Sequence, residues 1–246
     1  MRIHAFHRLY QHRLSLSTKP FKARGCKVVR CQYCQIVETN CICDYQPDVE
    51  TKVAAMLLVS DNEVMKPSNT GGLIADIVKD SYVYQWHRTE PSKEMLDILN
   101  SDKYQPVIVF PEDYTDDKSR VVANLPQARD LNKTLLLIFI DGSWREARKI
   151  FRRSDYLQNL PVLSIEPESV SQYMMRKSDN EQHLSTAEVA SLVLKEAGEI
   201  NASTTLQLWF ETFRESYMLS KTRYKSDQTR PSLKSYIEHC KSETSL

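Results

Sequence analysis

Four cysteines, Cys31, Cys34, Cys41 and Cys43, fall within thirteen residues as Cys-x2-Cys and Cys-x-Cys. Two tight turns that each deliver two sulfurs match tetrahedral zinc at about 2.3 Å per Zn–S bond. Four protein ligands leave no open coordination position, so the spacing predicts a structural metal site. An iron–sulfur cluster takes the same thiolates and stays open as an alternative, although Cys-x-Cys favours a closed structural site. A pair of disulfides would need an oxidising compartment. Nothing here reads as a secretory signal, and Cys26 and Cys240 stand outside the cluster as odd thiols.

A second chemical cluster is Asp141-Gly142-Ser143-Trp144. It follows an apolar run, Thr134 to Ile140, with the length and composition of a buried strand. Ligands of open α/β sheets bind outside the carboxyl ends of strands, where an Asp can accept a proton or grip a hydroxyl. Asp is equally common as a helix cap, and that reading stays open. The helix expected after it, over 143–153, places Arg145, Arg148, Lys149 and Arg152 at i, i+3, i+4 and i+7. Trp144, Ala147 and Phe151 would line the opposite, apolar stripe. Only Glu146 interrupts the basic residues, a pattern that suits phosphates better than plain solvent.

Two polar loops are further candidates. Glu63-Val64-Met65-Lys66-Pro67-Ser68-Asn69-Thr70 runs into an apolar helical pattern capped by Ser68 or Asn69, and small polar residues at a helix start suit an anionic group. Tyr173-Met174-Met175-Arg176 and His183 precede Ser185-Thr186-Ala187-Glu188, a capping box opening a helix to Ala197. No Walker loop, GxGxxG or hydrolase elbow occurs, so those nucleotide-binding and acyl-transfer classes have no support.

The elements that must hold these groups alternate. Strands are expected over Val53–Val59, 82–86, Pro106–Phe110, Thr134–Ile140 and Leu160–Ile165. Helices are expected over 73–78, 143–153, 185–197 and Ser203–Leu219, with 221–246 a frayed polar tail. That order predicts an α/β class with a largely parallel sheet.

The bulk composition adds constraints. The 246 residues are 41% hydrophobic and 26% charged, and no apolar run approaches the roughly 18 residues of a membrane span, which predicts a soluble protein. A net charge of +1 hides an uneven distribution: residues 1–30 hold eight bases and no acid, leaving −7 on the rest. A basic arm suits a polyanion. A solvated terminus or an organellar transit peptide are the competing readings. A cytoplasmic location is expected, or an organellar matrix if the start is a transit peptide.

Together these segments resemble the DTW-domain family, the tRNA-uridine aminocarboxypropyltransferases, most closely the bacterial type that modifies a uridine of the tRNA variable loop. The residues carrying the resemblance are the four cysteines, Glu63-x2-Lys66-Pro67-Ser68-Asn69-Thr70, Phe110-Pro111-Glu112, Asp141-Gly142-Ser143-Trp144 and Leu184-Ser185-Thr186-Ala187-Glu188. Two positions depart from the family pattern: Ser143 stands for Thr, keeping the hydroxyl, and Ser60 stands where many relatives carry His. The resemblance implies a fold related to the SPOUT methyltransferases, knotted or not, with S-adenosylmethionine as donor of its 3-amino-3-carboxypropyl group. It implies Asp141 as the base or the group orienting uracil, with Trp144 beside it. Ser68, Asn69 and Thr70 would grip the donor carboxylate, with Arg176 a second option. Phe110, Pro111, Glu112, Ser185 and Thr186 would complete the donor site. Arg145, Arg148, Lys149, Arg152 and Arg176 would hold tRNA phosphates.

The expected organisation is a basic arm (1–25), a zinc module (26–48), a catalytic domain (49–220) and a polar tail (221–246), with no membrane and no stable protein partner. The competing functions are a SAM-dependent RNA methyltransferase of SPOUT-like fold and a non-catalytic zinc RNA-binding protein.

Overall fold

A computed structural model describes residues 1–18, 28–122, 124–125, 130, 132–164, 185–220 and 228–244. Its centre is a six-stranded sheet in the order β2-β1-β5-β3-β6-β4, with every pair parallel. The strands are β1 (Ala54–Val59), β2 (Ser81–Gln85), β3 (Tyr104–Val109), β4 (Val121–Val122), β5 (Thr134–Asp141) and β6 (Val162–Leu163). The expected mixed α/β class with a parallel sheet is what is observed.

Near-continuous apolar runs mark strands that are buried on both faces. Ala55, Leu57, Val59, Leu135, Leu137 and Phe139 join one core cluster, while Ala54, Met56, Leu58, Leu136 and Ile138 join the other. The helices divide accordingly. Helices α3 (Lys93–Leu99) and α4 (Trp144–Arg153) cover the second face through Met95, Leu99, Ala147, Ile150 and Phe151. The first face is covered by α1 (Ala5–Ser15), α2 (Gly71–Ile77), α5 (Thr186–Glu196), α6 (Ile200–Leu219) and α7 (Pro231–Thr244), together with Ile36 and Ile42 of the cysteine segment.

Several expectations need correction. Of the expected basic arm, residues 2–15 are docked on the fold: His4, Phe6 and His7 are buried. The Arg2 guanidinium donates to the carbonyls of Ala75 and Asp76 at 2.9 and 2.7 Å. Arg13 pairs with Asp61 at 2.9 Å. Lys19, Lys22, Arg24 and Lys27 of the expected arm lie outside the described residues. The frayed tail is instead a helix over Pro231–Thr244, because Leu233, Tyr236, Ile237 and Cys240 recur at helical spacing and pack on the first core cluster. Its Tyr236 hydroxyl donates to the Tyr45 carbonyl at 2.8 Å, and Glu215 of α6 accepts from the Ser232 and Leu233 amides at 2.8 and 3.2 Å. The N-cap of α2 is Thr70, one residue beyond the expected Ser68 or Asn69. The last strand is shorter than expected, and α6 starts three residues earlier, at Ile200.

If α7 is an integral part of the core, Leu233→Ala creates a buried void and lowers stability by about 2–4 kcal/mol. Urea denaturation of the full chain measures this. A midpoint equal to that of the unsubstituted chain would mean that the segment contributes no packing.

Candidate active site

The carboxyl ends of β1, β5 and β3 lie side by side, with Val59 opposite Asp141 and Val109 opposite Phe139. Asp141 ends the central strand and is 2% exposed. Its Oδ2 accepts from the Asn69 side-chain amide, and its Oδ1 from the Thr186 hydroxyl, both at 2.6 Å. Asn69 is itself fixed, because its Oδ1 accepts from the Gly72 amide at 3.2 Å. Helices α2 and α5 are also tied together here: the Thr70 hydroxyl oxygen accepts from the Ala187 amide at 3.5 Å.

The helix-cap reading of Asp141 does not hold. Ser143 caps α4 and accepts from the Glu146 amide, while Glu146 returns bonds to the Ser143 amide and hydroxyl at 3.1 and 2.6 Å. Asp141 is thus held by side chains from distant parts of the sequence, away from the cap. Burial pushes its pKa up to about 6, and the Thr186 and Asn69 hydrogen bonds limit the rise. A carboxylate that changes charge near neutrality is suited to proton transfer.

Two glycines shape this corner. A Cβ on Gly71 would stand 2.5 Å from Asp141 Oδ2, so only a residue without a side chain lets α2 approach the carboxylate. A Cβ on Gly142 would stand 3.0 Å from the Ser60 hydroxyl. That hydroxyl is buried and has no hydrogen-bond partner among the described residues, and the Ser60 amide donates to the Asp141 carbonyl at 2.8 Å. Ser60 is therefore in the site, at the strand end beside Asp141.

On the outer side of the β5–α4 turn, Arg145, Arg148, Lys149 and Arg152 are all exposed. Trp144 departs from the expected apolar stripe: it is 40% exposed, and Ile150 joins Ala147 and Phe151 in the core instead. At position N1 of the helix, Trp144 points away from the packed face. It meets Phe110 at 6.1 Å and Tyr114 at 6.3 Å between ring centroids.

The four cysteines form one cluster whose ligand atoms all lie within 4.8 Å of each other. Sγ–Sγ distances of 3.5 Å (Cys31–Cys43) and 3.7 Å (Cys34–Cys41) are near the roughly 3.8 Å edge of a tetrahedron with 2.3 Å bonds. The first turn is a knuckle: Cys31 accepts from the Gln35 amide at 3.1 Å, Gln35 has φ +60°, and the Tyr33 amide points at Cys31 Sγ at 3.5 Å. A Cys43 hydrogen bond, acting against burial, pulls the Cys34 thiol down to about 5; burial lifts Cys41 to about 11. The donor set is compatible with a structural zinc. Cys34 and Cys43 line a cleft that also holds Lys66, Pro67 and Asn69, so the cysteine module abuts the loop that grips Asp141.

A second ligand-like group, His4, His7 and Asp76, is also within 4.8 Å and buried. The two imidazoles are stacked at 3.7 Å, a poor arrangement for sharing an ion in both ring planes. Asp76 already accepts from His4, Gln46 and Trp209 at 3.0, 2.6 and 2.9 Å. Burial pushes the His7 pKa down to about 4, so that ring is neutral near pH 7. This group is a structural network.

The family model of the DTW domain matches residues 28–218. The chain belongs to the DTW-domain family. No solved structure matches it. Membership supports a transferase that modifies tRNA and therefore binds it.

The residues expected from the sequence fall into distinct places in this DTW-domain chain. Asn69, Thr70, Asp141 and Thr186 converge. Ser185 is directed to capping α5, where it accepts from the Glu188 amide at 3.4 Å. Ser68 is exposed; Phe110 is buried and stacks on Phe151 at 4.4 Å; the Glu112 amide donates to Ser164 at 3.1 Å. Tyr173, Met174, Met175, Arg176, His183, Leu184 and Cys26 lie outside the described residues. Gly71, Tyr114 and Trp86 belong to no motif that marks them for the site in the sequence. The scarcity of glycine, five in 246 residues, is the one signal that pointed at Gly71.

Because Asp141 is protonated more readily in the fold than in the unfolded chain, ionising it opposes folding. The raised pKa of about 6 means stability falls as pH rises from about 4 through 6, by on the order of 3 kcal/mol when complete. Asp141→Asn keeps one acceptor and one donor for Asn69 and Thr186, so it melts several degrees higher than the unsubstituted chain at pH 7.5 and loses that advantage by pH 4. Equal melting temperatures across that range would show an ordinary, solvated carboxylate.

Proposed function

We propose that this chain transfers the 3-amino-3-carboxypropyl group of S-adenosylmethionine to N3 of a uridine in tRNA, releasing methylthioadenosine. The observation that carries this reading is the buried, neutral-poised Asp141 at a strand end directly beside an exposed basic and aromatic helix face. Together they offer a proton acceptor and a polyanion surface in one corner, within a family tied to tRNA modification.

Uracil N3 is mostly protonated at neutral pH, and removing its proton turns it into a nucleophile. Asp141 is the base in this reading, active as the carboxylate, with Asn69 and Thr186 fixing its two oxygens. The donor supplies a carbon activated by its sulfonium. Bond formation from N3 to the γ-carbon is matched by cleavage of the γ-carbon–sulfur bond, whose electron pair returns to sulfur; the N3 proton goes to Asp141 and then to water. Thr70 and Ser68, in the loop before α2, are the donor-facing candidates. Arg145, Arg148, Lys149 and Arg152 hold phosphates, which positions the RNA without reading sequence.

Cys31, Cys34, Cys41 and Cys43 would hold one Zn²⁺, closed to substrate. A location in the cytoplasm is part of the same proposal.

Incubating the chain with unmodified tRNA and S-adenosylmethionine tests the reaction. Methylthioadenosine with aminocarboxypropyl-uridine is expected, with kcat/KM rising through an apparent pKa near 6 as Asp141 ionises. Asp141→Asn is expected to lower kcat by about a hundredfold or more while tRNA affinity stays within a few fold. S-adenosylhomocysteine as product would replace this reading with methyl transfer.

Zinc removal gives a separate prediction. Because the cysteine cluster shares a cleft with Lys66, Pro67 and Asn69, chelation is expected to raise amide hydrogen exchange at 66–73 as well as at 31–43. Exchange that rises only at 31–43 would mean that the module is uncoupled from the Asp141 corner.

A further inference from the structure

We propose that Tyr114 and Trp144 form a stacking platform for an unpaired base of the bound RNA, with Phe110 as its pedestal and Arg148 as its cationic edge. This rests on the tRNA reading above and names how the RNA is held next to Asp141.

The pedestal is rigid. Phe110 is 5% exposed and lies flat on Phe151, with centroids 4.4 Å apart and planes 13° from parallel. Tyr114 and Trp144 both meet it edge-on, at 5.7 and 6.1 Å, and so lean on the same buried ring. Toward each other they are inclined by only 32° at 6.3 Å. The Trp144 indole, 40% exposed at the helix N-terminus and beside Tyr114, is accessible enough for a base to reach its ring.

The α4 side of the platform is cationic, whereas Asp116 and Asp117 share a cleft with Tyr114 on the other side. The Arg148 guanidinium lies 5.7 Å from the Tyr114 ring centre, and its Nε donates to the Trp144 backbone carbonyl at 3.3 Å, which ties the side chain to the start of the helix. One residue on, Lys149 lies 5.4 Å over Trp86, whose indole nitrogen donates to Ser154 at 2.9 Å. Aromatic faces interleaved with fixed cations are how proteins hold single-stranded nucleic acid: bases stack on the rings while the cations follow the phosphates. RNA chemistry of this kind acts on bases that have left their stack.

Charge decides between two possible occupants with a flat base. The sulfonium donor carries a net positive charge and is repelled by Arg145, Arg148 and Lys149, whereas an RNA strand is attracted. The occupant is therefore an RNA base: the target uracil or its immediate neighbour.

Trp144 is three residues from Asp141 across a turn fixed by the Ser143–Glu146 cap, so a base held there stays close to the carboxylate.

The test uses the full chain and a short single-stranded oligoribonucleotide, beside an otherwise identical strand with one abasic position. Quenching of tryptophan emission is expected with the first strand, reduced with the abasic one, and lost in Trp144→Phe, which leaves Trp86 and Trp209 in place. Trp144→Ala and Tyr114→Ala are each expected to weaken tRNA binding by about five- to a hundredfold, with Tyr114→Phe restoring it and donor affinity unchanged. Unaltered tRNA affinity in both alanine variants, with melting temperatures preserved, overturns the platform. So does a loss that falls on donor binding alone. Neither result needs turnover: a chain that binds RNA this way but yields no methylthioadenosine would sink the transfer reading and leave the platform standing.

Discussion

A carboxylate with 2% of its surface exposed has to be surrounded by donors or remain protonated. Among the described residues, the fold supplies Asp141 with two donors and no cation in direct contact. Asn69 comes from the loop after β1 and Thr186 from the first turn of α5, so the group is held from both sides by segments 72 and 45 residues away. Two neutral hydrogen bonds do not cancel the loss of water, and the pKa stays up near 6. The balance depends on close approach. With any side chain at position 71, either α2 or the Asp141 carboxylate would have to shift. The chemistry proposed for this chain therefore hangs on one missing Cβ as much as on the acid itself.

That approach is enforced from the far end of α2. Helix carbonyls at a C-terminus lack partners within the helix. Here Arg2 supplies donors to Ala75 and Asp76, and the Asp76 side chain is gripped by His4, Gln46 and Trp209. One seven-residue helix is thus anchored by the first residues, the end of the cysteine segment and α6, while its other end presses on the site. The N-terminal residues and the end of the cysteine segment hold the C-terminal end of α2 in place. Neither reaches the carboxylate, yet both set where α2 sits. This also gives the buried histidines a purpose without a metal.

Much of this was legible in the sequence because it was written in period and spacing. The parallel strands appeared as unbroken apolar runs, and the cysteine cluster as two doublets. The capping boxes at Ser143 and Ser185 appeared as hydroxyl residues three before Glu. What was missed has a common physical origin. Helices α1 and α7 are polar on average, and their narrow apolar stripes, such as Leu233, Tyr236, Ile237 and Cys240, disappear among charges. Trp144 was assigned to the core by its spacing, but at the first helical position a side chain leans back toward the preceding turn and out over the sheet edge. Tertiary pairings such as Asn69 and Thr186 with Asp141 have no local signature at all. A sequence shows which groups can bond; only the close approach at Gly71 decides that these do.

Helix α4 joins a dry end to a wet one. Its sole acid, Glu146, would offset the basic face if its carboxylate turned outward. Instead it folds back to Ser143 and Asn62, whose hydrogen bonds, with Ser143 foremost, hold it below the usual carboxylate range. The capping box therefore does two jobs: it starts the helix and keeps a negative charge off the face that RNA would meet. The rest of the chain beyond residue 30 is net acidic, at −7, so long-range attraction cannot come from the body as a whole. It must come from local concentration of charge, and a face of four cations within two turns provides that at distances shorter than a Debye length. Such a field would orient the polyanion toward the α4 face. In the proposed reading, orientation by charge and capture by the rings would place a base at the mouth of a corner whose acid is shielded from the same cations by burial, so that one turn would serve both binding and proton transfer.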